Sequence, residues 1–237
     1  MWVPMELRNL VQGVQALDTV QNQTLGDMVK AFDPIHGVGE FIYLQGVAAC
    51  VAGSLVTYNW SATAALNYQA VLDPATANNS LPKAFAMAPC VAANFGWFQI
   101  AGAAFAVNNA TAATGNAFAK AGGQVGSAVV AGSQILGAQI SVANGSTFTA
   151  VVTTRSGSTF ATINKLDGIY VGLPISGAGI PAATTIAAGQ LGEPFNRNNI
   201  IILSAAATAD ATVTATFTRT NFSIVMCERP TGQGQIT

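Results

Sequence analysis

Residues 211–218 read Ala-Thr-Val-Thr-Ala-Thr-Phe-Thr, threonine alternating with an apolar residue from end to end. Successive side chains of a strand point to opposite faces, so this period of two fits a half-exposed antiparallel strand and no helix. The rest of the chain is compatible with it. Residues 147–154 are a β-branched run, and 40–45 read as a strand after the turn signal His36-Gly37-Val38-Gly39. Residues 55–58 follow a Gly-Ser turn, and Val71-Leu72 lead into the turn Asp73-Pro74. Further short strands are expected at 84–87, 96–100, 103–107, 135–142, 161–164, 200–203 and 222–226, with a loop at 108–115 and a polar tail at 231–237. Frequent small turns between short strands predict an all-β fold, an antiparallel β-barrel or sandwich, rather than a parallel α/β fold.

The first residues have another texture. Leu7, Leu10, Val11, Val14 and Leu17 fall on one helical face, while Gly13 weakens a stable helix. Residues 1–23 are therefore expected to form an N-terminal arm, helical in part, that docks on another molecule, although a core helix fits the spacing as well. Trp2, Leu7, Leu10, Val11 and Val14 are its predicted intermolecular contacts. Turn signals at Asn144-Gly145 and Thr220-Asn221 divide the remainder into a body, 24–145 with 221–237, and an inserted β module, 146–220. If 140–142 and 222–226 belong to one sheet, the ends of the insert must lie close together.

Composition narrows the setting. Only 8% of residues are charged, against about 25% in an average soluble protein. Such a chain has little charge with which to cover a free surface, so burial in an assembly is expected, most simply a homotrimer. The net charge is −1 with lysines and arginines scattered, which argues against nucleic-acid binding. Mean hydropathy is +0.43, yet no apolar run approaches the roughly 18 residues of a membrane-spanning helix. The N-terminal sequence has neither a basic region nor an apolar core of a signal peptide, so synthesis and assembly are expected in a cytoplasm. Cys50, Cys90 and Cys227 are odd in number and widely spaced, which reads as buried free thiols rather than a disulfide framework or zinc site.

Chemistry finds little purchase. The one histidine, His36, lies in a turn with Asp33 before it, and a hydrolase using a Ser-His-Asp or Cys-His mechanism would need it. Neither a nucleophile-elbow nor a zinc-protease motif is present, and the carboxylates are isolated. Gly37-Val38-Gly39 lacks the third glycine of a dinucleotide fingerprint, and Gly177-Ala178-Gly179-Ile180-Pro181 has no phosphate-cradling lysine. The aromatic run Phe95-Gly96-Trp97-Phe98 could line a carbohydrate or peptide groove, but alternating aromatics read better as core. No enzyme activity, cofactor or metal is expected.

Several stretches resemble the small structural proteins encoded beside the major capsid protein in tailed phages. They are Thr24-Leu25-Gly26-Asp27, residues 39–47 (Gly-Glu-Phe-Ile-Tyr-Leu-Gln-Gly-Val), 53–58 (Gly-Ser-Leu-Val-Thr-Tyr), 84–88, 96–102, 131–138, and the closing Val225-Met226-Cys227-Glu228-Arg229-Pro230. The resemblance implies a capsid decoration (cement) protein, often trimeric, with a β-barrel-like body. It would bind the major capsid protein across capsomers on the outer surface of the virion and stabilise the head. Residues 146–220 depart from that pattern; within them 168–182 and 202–208 resemble a β module of phage head and tail proteins. A head-fibre or host-adhesion protein, with the module binding cell-surface glycans, is the alternative this implies.

Overall fold

The computed structural model describes residues 13–33, 37–59, 67–108, 112–165, 169, 170, 172–187 and 199–234. Among them the chain is all-β and contains no helix. It divides into two compact units. One comprises the described residues up to Asp33, Gly37–Asn144 and those from Asn221 on; the other is Gly145–Thr220.

The strands of the first unit are β1 (Leu17–Asp18), β2 (Met28–Asp33), β3 (Gly37–Gln45), β4 (Leu55–Thr57), β5 (Val71–Leu72), β6 (Lys83–Ala86), β7 (Phe95–Val107), β8 (Gly115–Lys120), β9 (Gln124–Gly126), β10 (Gln134–Val142) and β16 (Phe222–Gly232). Those of the second are β11 (Thr147–Thr154), β12 (Phe160–Ile163), β13 (Ile175–Ser176), β14 (Ile200–Ile202) and β15 (Ala211–Thr218).

In the first unit all strand pairs are antiparallel, in the order β5-β4-β6-β7-β16-β10-β8-β9. The sheet curls until the β8–β9 turn meets β4: Leu55 donates its N–H to the Gly123 carbonyl at 2.7 Å, and Gly123 donates to the Asp73 carbonyl at 3.1 Å. Inside the curl lie Leu55, Phe85, Ala104, Ala106, Val125, Ile135, Ile140 and Val225. With them lie Ala112, Ala117, Ala119 and Ala138, small side chains as the narrow interior of a small barrel demands. The other faces of β4, β6 and β7 carry a second core, Val56, Ala84, Phe98 and Ile100, which Ile42 and Leu44 join from β3, the strand paired with β7.

Strand β7 runs unbroken where the sequence predicted two strands, 96–100 and 103–107. Gly102, with φ +102°, lies between them, and a Cβ there would approach the Val38 carbonyl oxygen to 2.6 Å. Glycine lets the strand bend without ending, so β3 pairs one half and β16 the other. Two further expectations are corrected. The tail expected from residue 231 is strand up to Gly232, because Leu136 and Ile135 pair with Thr231 and Gly232. The segment expected as an arm is, from Gly13 on, part of the body. Leu17 belongs to strand β1, paired with Gly96, and not to a helical face.

The second unit follows the alternation read from its sequence. Ala150, Val152, Ala215 and Phe217 are buried, whereas Thr149, Val151, Thr153, Thr212 and Thr214 are exposed. Its sheet order is β13-β15-β11-β12-β14. Bridges from Leu203 to Ile186 and from Thr185 to Pro174 carry the ladder from beyond β14 back to β13. The hydrogen-bonded path thus returns on itself and leaves few open edges. Ile163, Ile169, Leu173, Ile175, Ile201 and Leu203 fill it. At its chain ends, Gly145 donates to the Arg219 carbonyl at 2.7 Å and Arg219 to the Ser146 carbonyl at 3.0 Å.

Candidate functional site

The feature of the first unit that is hardest to explain by packing is the hairpin of β2 and β3. Its register sets Lys30 opposite Glu40 and Phe32 opposite Val38 on one face, with Val29 opposite Phe41 and Ala31 opposite Gly39 on the other. Alternation decides the outcome. Val29 and Ala31 pack on the cluster of Val14, Phe41, Tyr43, Met87 and Trp97. On the outward face Phe32 is 72% and Val38 70% exposed. Beside this apolar pair, Lys30 Nζ lies 3.2 Å and Arg229 Nη2 2.9 Å from the Glu40 carboxylate. The hydrogen bond from Lys30, supported by Arg229, holds the Glu40 carboxyl below its usual range, although partial burial opposes this. The face therefore sets two basic side chains on one carboxylate, a net charge of +1, next to two unshielded apolar side chains, an arrangement suited to an interface with another macromolecule.

Of the predicted contact residues the structure describes only Val14. Trp2, Leu7, Leu10 and Val11 lie outside the described residues. Val14 is buried within the chain among Phe41, Tyr43, Met87 and Trp97, so its apolar surface is used internally rather than offered to a partner. The segment after it is held by polar contacts: Tyr43 donates its hydroxyl to Asp18 at 2.5 Å, and Asn22 donates its side-chain amide to Asp18 at 2.8 Å. Burial, and then the hydrogen bond to Asp18, raises the Tyr43 phenol well above its ordinary value.

Phe95-Gly96-Trp97-Phe98 forms core rather than groove. Trp97 and Phe98 are buried, and Tyr43 meets the Trp97 ring edge-on with centroids 5.1 Å apart. All three cysteines are buried and free, as read from the sequence. Burial pushes the thiols of Cys90 and Cys227 up to about 12, with Cys50 and Asp18 adding to the shift at Cys90. His36 lies outside the described residues. Among the described residues no group of three or more histidine, cysteine, aspartate or glutamate side chains could hold a metal ion, and no helix is long and apolar enough to cross a membrane.

Two arrangements were missed by the sequence reading. Phe32 and Val38 carried a signal, since both stand at outward positions of an alternating hairpin. The contact of Lys83 with Asp73 carried none, because ten residues of sequence and an intervening strand separate them. Comparison with protein-family models, with curated proteins and with solved structures finds no match to the chain.

Proposed function

We propose that the chain is a structural protein of a tailed-phage virion, a capsid decoration protein that binds the major capsid protein across capsomers on the outer surface and stabilises the head. The observation that carries this reading is the exposed Phe32–Val38 pair on a chain with only 8% charged residues. Burying such a pair against a particle would contribute about 1.5–3 kcal/mol per side chain. The resemblance of residues 39–47, 53–58 and 225–230 to decoration proteins supports the same reading. A homotrimer fits a chain with little charge and a β body whose strand edges need cover.

The test is electron microscopy of particles assembled with and without the protein. Regular density on the capsid surface, present only with the protein, is the expected result; identical capsids would overturn the reading. Sedimentation at micromolar concentration checks the trimer, and a monomer both in solution and on the particle would refute it.

A second reading, a head-fibre or host-adhesion protein, is favoured by one observation. The second unit is a closed β module whose two chain ends are hydrogen-bonded together. Loss of adsorption with unchanged capsid density would select it.

A further inference from the structure

Lys83 on β6 and Asp73 just beyond β5 meet in the interior of the first unit, with β4 running between their strands. The Lys83 side chain is 3% and the Asp73 side chain 1% exposed, and Nζ lies against Oδ2. On the same face of β6, two residues along, Phe85 belongs to the barrel core, as does Leu55 on β4. The aliphatic stem of the lysine is confined: a Cβ added at Gly232 would come within 3.1 Å of its Cε. The aspartate is confined too. Its Oδ1 accepts the Ala75 N–H at 2.7 Å, its N–H donates to Leu55 and its carbonyl accepts from Gly123.

An isolated ion pair is a costly occupant of such a site, because desolvating both charges can exceed their mutual attraction. The arrangement instead suits a condensation. The nucleophilic nitrogen is fixed beside a carboxyl carbon, which removes the entropic cost of bringing them together. The two carboxyl oxygens are distinguished: Oδ1 is held by a backbone N–H, the position of an oxyanion donor, while Oδ2 faces the amine.

We propose that Lys83 and Asp73 are joined by an intramolecular amide bond. A proton passes from Nζ to Oδ2, giving amine and carboxylic acid. Nζ then attacks Cγ, with the developing charge on Oδ1 held by the Ala75 N–H. The Cγ–Oδ2 bond breaks and Oδ2 leaves as water. Of the three protons on Nζ, two depart with that water and one stays on the amide nitrogen, so no oxidant or co-reactant is required. The product removes two buried charges and keeps Oδ1 as an acceptor for Ala75. It also ties the 73–83 segment across β4. The inference is independent of the virion reading.

Mass spectrometry of the full denatured chain tests it. The expected mass is that of the sequence less one water, and Lys83→Met restores the full mass of its own sequence whether or not it folds. Trypsin should leave residues 31–120 as one fragment lacking one water, since Lys83 is the one internal cleavage site there. Chymotrypsin, cutting after Leu72 and Phe85 but not at Leu81, which precedes Pro82, should release residues 73–85 as one peptide lacking one water. A wild-type mass equal to the sequence, with separate tryptic fragments 31–83 and 84–120, would overturn the proposal and leave the pair an ion pair.

Discussion

Glu40 is the residue whose charge state the structure ties most directly to stability. Its carboxyl is held below the usual range by Lys30 and then Arg229. A carboxyl lowered on folding stabilises the native state fully above its unfolded pKa, and that contribution fades as pH falls through the folded value. Both basic partners are largely exposed, so the contribution is about 0–1 kcal/mol. Melting temperature followed from neutral pH into acid should therefore drop less steeply for Glu40→Gln than for the wild type, and parallel acid limbs would contradict the assignment. Residues were legible in the sequence where local pattern alone fixes them. The free thiols and the aromatic core at Trp97 and Phe98 are of that kind, since apolar or soft side chains at inward strand positions have one stable place. Lys83 and Asp73 were not legible, because their meeting depends on β4 pairing with both neighbouring strands.

At the scale of elements, the alternating strands were read to the residue, β11 and β15 above all, because period two is a direct consequence of the pleat. Strand β7 was read as two because glycine near its middle signals a turn as readily as a bend. The N-terminal segment was misread because Val14 and Leu17 satisfy helical spacing although Val14 sits in a turn and Leu17 in the short strand after it. That correction reverses an expectation. Removing residues 1–23 takes away Val14 and leaves the buried Tyr43 hydroxyl without Asp18, a loss of about 2–5 kcal/mol. Thermal denaturation of that truncation should show a clear fall in melting temperature; an unchanged value would mean the docked segment adds nothing. For the β2–β3 hairpin the opposite holds. Phe32→Ser with Val38→Ser alters exposed positions, so folding stability should change by no more than about 0.5 kcal/mol. Binding to particles, measured by co-sedimentation, should weaken at least tenfold, and full binding by the double variant would exclude this face as the contact.

For the whole molecule, β10 and β16 pair directly, Ile140 with Val225 and Val142 with Ile224, across all of the second unit's sequence. The boundaries at 144/145 and 220/221 fall beside the turn signals of the sequence. Replacing residues 146–220 by a short Gly-Ser linker should leave a body that unfolds in one cooperative transition near the temperature of the full chain. Aggregation of the shortened protein would show that the module supports the body's core.

The same pairing has a consequence for biosynthesis. Strand β16 follows every other described strand yet lies mid-sheet, between β7 and β10. A ribosome therefore releases the body as two unfinished half-sheets with raw margins facing each other, while the module between them already has every residue it needs. The module is poised to fold first, and the body closes only when its final strand slides into the gap. Slow, non-local closure of that kind leaves nascent chains vulnerable to cross-pairing with their neighbours on a polysome.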